Sequence, residues 1–199
     1  MNKIFDVIAL GELLIDFTEN GVSSQGNPIF EANPGGAPCN VLAMLNKLGK
    51  KTSFLGVVGK DQFGITLRAA LEEQNIDTSH LYEDPEVHTT LAFVHTFEDG
   101  DRDFAFYRNP GADMMLGEEQ IQEDYIISAK ALHYGTLSMT HERARKATRK
   151  AIEIGKEAGL LLSFDPNLRP PLWQNLEEAK EQIAYGLSKC DLLKISEEE

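Results

Sequence analysis

Short apolar runs alternate with amphipathic segments along most of this chain, and no other feature restricts its fold as strongly. Phe5-Asp6-Val7-Ile8-Ala9-Leu10, Lys51 to Val58, Leu132 to Tyr134, Leu160 to Phe164 and Asp191 to Ile195 have the length and apolar content of buried strands. Between them lie segments with helical spacing. Pro38 suits the first turn of one, in which Val41, Leu45 and Leu48 share a face and Gly49 is a stop. Asp61 to Gln74, Thr140 to Ala158 with Thr140 as N-cap, and Leu176 to Ser188 are the others. Strands joined by helices of this length imply an α/β fold, a mostly parallel sheet with helices on both faces.

Two segments break the alternation. Leu13 to Thr18 reads as a second strand and is followed by turn chemistry at Asn20-Gly21 and Ser23 to Pro28. Thr90 to Thr96 and Arg102 to Tyr107 are β-rich runs flanking Glu98-Asp99-Gly100-Asp101, a hairpin signal. These segments, 12–34 and 88–108, are expected to form a small β lid inserted in the α/β alternation.

At 199 residues the chain can bury one sizeable core. Its net charge of -13 argues against a nucleic-acid partner and against an anionic membrane surface. Cys39 and Cys190, without a C-x-x-C or a His cluster, predict neither a disulfide framework nor a zinc site, and fit a reducing cytoplasm. The apolar run from Val7 to Ile15 is interrupted by Glu12 and closed by Asp16, so no signal peptide is expected, and no run is long enough to span a bilayer.

In an open α/β sheet, ligands bind beyond the carboxyl ends of the strands. That rule selects 11–16, 34–40, 165–169 and Lys194 onward. Asp16 could accept hydrogen bonds from two neighbouring hydroxyls, or be an exposed turn acid. Gly35-Gly36 lets a ligand approach the backbone, and Asn40 offers both a donor and an acceptor; a plain glycine turn before a helix is the bland alternative. Phe104-Ala105-Phe106-Tyr107-Arg108 could cover a ring with one aromatic face and reach oxygens with Arg108, or be a half-buried strand whose Arg reaches solvent. Asn167 and Arg169 could hold phosphate or carboxylate oxygens, or belong to a proline turn. His133 and His141 have no obvious partner and read as structural. Neither G-x-G-x-x-G nor G-x-x-x-x-G-K-[ST] occurs.

Taken in order, these motifs resemble the ribokinase-like (pfkB) carbohydrate kinase family, and within it the bacterial fructokinase group. The resemblance rests on Gly11 to Asp16, Gly35-Gly36-Ala37-Pro38-Cys39-Asn40, Gly56 to Gly64, Phe106 to Asp113, Phe164 to Arg169 with Leu172-Trp173, and Lys194 to Glu199. Leu42 departs from the family's small residue there. The resemblance implies an ATP-dependent sugar kinase with Mg²⁺, most simply a fructokinase; a 2-keto-3-deoxygluconate kinase or another ribokinase-like sugar or nucleoside kinase, and a silent sugar-binding or regulatory protein, are the rivals. It implies that Asp16, Gly35, Gly36 and Asn40 hold sugar hydroxyls and that Phe106 and Arg108 come from the lid side. Arg169 would then face substrate, Asn167 and Lys194 the nucleotide phosphates, and Glu199 the metal, with Ser196 replacing the Asn of the family's Asn-x-x-Glu motif. A Rossmann-like α/β domain with a β lid, of which residues 1–199 are the N-terminal part, is implied too, as is pairing of two lids in a homodimer. The family's second signature, Asp-Thr-x-Gly-Ala-Gly-Asp, which carries the general base, does not occur in these 199 residues, so the chain alone is expected to show no turnover and the last strand to be exposed.

Overall fold

The computed structural model describes residues 3–96 and 102–197. The turn expected at Glu98-Asp99-Gly100-Asp101, and Glu199, lie outside the described residues. Strand β1 (Phe5–Leu10) is followed by β2 (Leu14–Val22), β3 (Pro28–Gly35), helix α1 (Ala37–Lys47), β4 (Thr52–Gly59), α2 (Gln62–Glu73) and β5 (Asp77–Asp84). Then come β6 (Leu91–Thr96), β7 (Arg102–Tyr107), a one-turn α3 (Glu123–Ile126), β8 (Ala129–Gly135), α4 (Glu142–Glu157), β9 (Leu161–Asp165), α5 (Leu176–Lys189) and β10 (Leu192–Leu193). Short 3₁₀ turns fill several connections, among them Ala112–Met115 and Leu137–Met139.

Six strands form one sheet in the order β10-β9-β8-β1-β4-β5, and every pairing within it is parallel. Successive side chains of a strand point to opposite faces, so each central strand feeds two cores. Ile8 and Leu10 of β1, with Leu55 and Val57 of β4, join Ala144, Ala147 and Ala151 of α4 on one side. Ala9, Phe54 and Val58 join Cys39 and Leu42 of α1 and Leu67 and Leu71 of α2 on the other. Each fully buried Leu or Ile contributes about 1.5–3 kcal/mol. The alanines of α4, with Gly155, let that helix lie close to the sheet; a Cβ on Gly155 would stand 3.1 Å from Leu162 Cδ2. At the outer edge Leu192 and Leu193 of β10 are exposed, as is Ile195.

The remaining strands form a second sheet in the order β3-β2-β6-β7. β2 pairs antiparallel with β3 but parallel with β6, so two hairpins distant in sequence are joined side by side. The chain crosses from one sheet to the other through Gly11-Glu12-Leu13, all buried.

Several local expectations shift. The α1 residues that bury are Pro38, Cys39 and Leu42, whereas Leu48, expected on the packed face, is 68% exposed. The helix buries its first turns against the sheet, and near its C-terminal end Asn46 Nδ2 donates to the Asn75 carbonyl at 3.0 Å. Leu42, 0% exposed, lies in the core to which both α1 and α2 contribute. Residue His141, not Thr140, is the N-cap of α4. The Thr140 hydroxyl instead donates to the Leu137 carbonyl and accepts from Arg108. Asp61 caps α2, its Oδ1 accepting from the Gly64 N–H at 2.9 Å.

Candidate functional site

A cleft of about 500 Å³ opens between the carboxyl ends of the parallel strands and the inner face of the small sheet. Its walls follow from strand periodicity. Leu14, Asp16 and Thr18 of β2, at every second position, face the cleft, while Ile15 between them is buried in the core. Val94 of β6 and Phe104 and Phe106 of β7 complete that wall. The two phenyl rings stack with centroids 5.9 Å apart, and Tyr107, on the opposite face, is exposed. The floor comes from Glu12, Gly36, Ala37 and Asn40, and the far wall from Leu137, Asp165, Asn167, Arg169 and Lys194.

Asp16, Gly36, Asn40, Phe106, Asn167, Arg169 and Lys194, selected from sequence, all line this one cleft. Gly35 stands beside it, and a Cβ at that position would collide with the Asp16 carboxylate. Gly36 has φ +128°, and a Cβ there would come within 2.5 Å of the Glu12 carbonyl oxygen. Gly36→Ala is therefore expected to destabilise the fold by about 3 kcal/mol, read as a lowered urea midpoint.

Arg108 does not join this group. It is 7% exposed, and its guanidinium is fully engaged. Nε donates to Asp113 Oδ2 at 2.8 Å, one terminal nitrogen donates to Thr140 Oγ1 at 2.8 Å, and the other reaches both the Leu137 carbonyl at 3.0 Å and Asp113 at 2.7 Å. Thr90 donates to the other oxygen of Asp113. The cation thus joins the end of β7 and the start of β6 to the loop after β8, instead of entering the cleft. It edges a second concavity of about 620 Å³ behind the small sheet, with Phe63, Leu91 and Pro110.

Asp16 is half-buried, and desolvation raises its carboxyl above the ordinary value, with the charge of Arg169 opposing that rise. The Arg169 guanidinium lies 5.4 Å from the Phe104 ring centroid, a cation–π distance. Asp165, at the end of β9, accepts from the Asn167 N–H at 3.2 Å and from Lys194 Nζ at 3.3 Å. Asn167 holds φ +43°, a left-handed turn that aims the segment into the cleft. His133 is buried against Ser163 Oγ at 3.0 Å, and burial lowers its pKa, so it is structural.

Sequence reasoning passed over several lining residues, Glu12 and Asn33 among them. Glu12, 3% exposed, accepts from the Ala37 N–H at 2.9 Å, and burial pushes its carboxyl up to about 7. Its signal was an acid interrupting an apolar run. Asn33, whose Nδ2 donates to Thr18 Oγ1 at 2.9 Å, carried none.

The fold and this cleft define an α/β domain whose second sheet walls a site of mixed polar and aromatic lining at the carboxyl ends of its strands. The chain belongs to the pfkB family of carbohydrate kinases, whose pattern it matches over residues 5–199. It is 46% identical over 195 residues to probable fructokinase-2 of Arabidopsis thaliana, covering 97% of this chain and 59% of that one. The fructokinase from Xylella fastidiosa matches with a TM-score of 0.91 at 34% identity, covering 98% of this chain and 61% of that one, and its ATP-bound form gives 0.89. A double mutant of the Vibrio cholerae O395 fructokinase, in fructose-, ADP- and potassium-bound form, matches with a TM-score of 0.87 at 31% identity, over 100% of this chain and 62% of that one. The chain thus spans about three-fifths of the length of these relatives.

Proposed function

We propose that this chain forms the sugar-binding part of an ATP-dependent kinase for a neutral hexose, fructose in the first place, and that the small sheet is the lid over that sugar. The observation that carries this reading is the convergence of Asp16, the Gly35-Gly36 bend and Asn40 under the ring wall of Phe104 and Phe106. Asp16 accepts from paired hydroxyls, Asn40 supplies a donor and an acceptor, and the glycines admit the ring to the backbone. Magnesium and ATP belong to the same proposal. Lys194 and Asn167, at the opposite wall, offer a cation and an amide to phosphate oxygens, and when bound the nucleotide supplies the γ-phosphoryl group. Mg²⁺ would be held through the nucleotide phosphates, with Glu199, which lies outside the described residues, as the side chain the family motif offers it.

Electrostatics favour a neutral substrate over a sugar acid. Of the two arginines that could answer a carboxylate, Arg108 is already paired with Asp113, and the cleft holds Glu12, Asp16 and Asp165 against Arg169 and Lys194. Titration of the chain with fructose and with 2-keto-3-deoxygluconate tests this, with fructose the tighter ligand by about tenfold or more. Preference for the keto acid overturns it. The same preparation, given ATP and fructose, checks the expectation that these 199 residues alone do not turn over.

Among the described residues, no helix is long and apolar enough to cross a membrane. A cytoplasmic location and a homodimer through the lid remain part of this proposal. The lid's exposed Val22, Ile29, Phe30 and Tyr107 support the dimer, and sedimentation of the chain as a monomer at tens of micromolar would sink it.

A further inference from the structure

We propose that Glu12 is the positioning residue of the sugar cleft: its carboxylate ties the start of α1 to the β1–β2 crossing and so sets Asn40 against Asp16. The proposal rests on the sugar-binding reading. Three observations meet at this side chain. Its Oε1 accepts the Ala37 N–H at 2.9 Å, one of the first amides of α1, which have no partner within the helix. Its own carbonyl oxygen is the atom that Gly36 must clear, so both ends of the residue bear on the bend. It lies four residues before Asp16 in the segment that passes from the large sheet into the lid, and both side chains line the same cleft.

The tether is conditional on charge. An ionised carboxylate is the stronger acceptor and complements the positive end of α1. Burial holds the Glu12 carboxyl up near 7, with Asp113 raising it and Arg108 lowering it. Cys39, on the first turn of α1, is buried and stays a thiol, its own pKa driven up by burial and by Glu12. Asp16, Asp165, Arg169 and Lys194 are the remaining charged groups lining the cleft. Sugar affinity is therefore expected to rise as pH increases through about 7.

Global stability runs the other way. A carboxyl raised from 4.5 in the unfolded chain to about 7 in the fold favours the protonated acid. That contribution is intact below 4.5 and lost as pH rises through about 7.

The experiment measures fructose affinity and hydrogen-exchange protection of the Ala37 and Asn40 amides from pH 5.5 to 8.5, in the wild-type chain, Glu12→Gln and Glu12→Ala. In the wild type both quantities are expected to rise together across the range, affinity by about tenfold for a strengthened charged hydrogen bond. Glu12→Gln keeps the acceptor without the titration, so its protection persists and both profiles flatten. Glu12→Ala is weak in both at every pH. A Glu12→Gln profile that titrates like the wild type, or full Ala37 protection in Glu12→Ala, overturns the proposal. Protection that titrates in a wild type unable to bind fructose upholds the tether and removes the sugar reading instead.

Discussion

Replacing Asp16 by alanine is expected to abolish measurable fructose binding, with an affinity loss of about 100-fold or more. A carboxylate hydrogen-bonded to two hydroxyls contributes about 1.5–3 kcal/mol through each bond, and alanine leaves neither acceptor. The same change is expected to stabilise the fold near neutral pH. Asp16 sits on a half-buried wall where desolvation raises its pKa, so its ionised form is disfavoured in the native state. That penalty is absent in acid, where the carboxyl is protonated in folded and unfolded chains alike, and grows as pH rises through the ordinary carboxylate range. Calorimetry with fructose, paired with thermal unfolding at pH 3 and pH 8, separates the two effects. A binding site that is held at the expense of stability gives lost affinity together with a larger gain in melting temperature at pH 8. Retained affinity in Asp16→Ala would remove the residue from the site.

The second large effect is expected at Arg108, and it falls on stability. Arg108→Ala leaves Asp113 buried without its partner and strips the Leu137 carbonyl and the Thr140 hydroxyl of a donor. Removing one member of a buried pair costs about 3–5 kcal/mol, a large share of a domain's total. Arg108→Lys is expected to rescue little, because one ammonium cannot span three acceptors that a fork reaches together. The double variant Arg108→Met with Asp113→Leu removes both charges and should recover much of the loss. Urea unfolding of the three variants measures this. If Arg108 faced the sugar instead, Arg108→Ala would weaken fructose binding and leave the urea midpoint near that of the wild type.

That contrast shows where sequence was informative. The alternation of apolar strands and helices identified the parallel sheet, because a strand buried on both faces has few polar positions. β5 escaped notice, since Asp77-Thr78-Ser79-His80-Leu81-Tyr82-Glu83-Asp84 lies at the sheet edge and is largely polar. The Leu14, Asp16, Thr18 stripe follows from a period of two, but which face met a cleft depended on β6 pairing beside β2, a contact between residues far apart in the chain. Arg108 and Arg169 both read as substrate-facing in the sequence; only the fold sets Asp113 against the first and Phe104 beside the second. Glu12 was legible as an acid in an apolar run, but its hydrogen bond from the Ala37 N–H depends on where α1 begins in space.

The parallel seam between β2 and β6 has a consequence for engineering and for descent. The four-stranded wall is stitched from two excursions of the backbone, one leaving the main sheet after β1 and one after β5. It cannot be excised or transplanted as a single cassette. A recombination event that carries only one excursion delivers half a wall with an unpaired margin, so changes of specificity in such a scaffold are expected to arise by point substitution along the seam, not by module exchange.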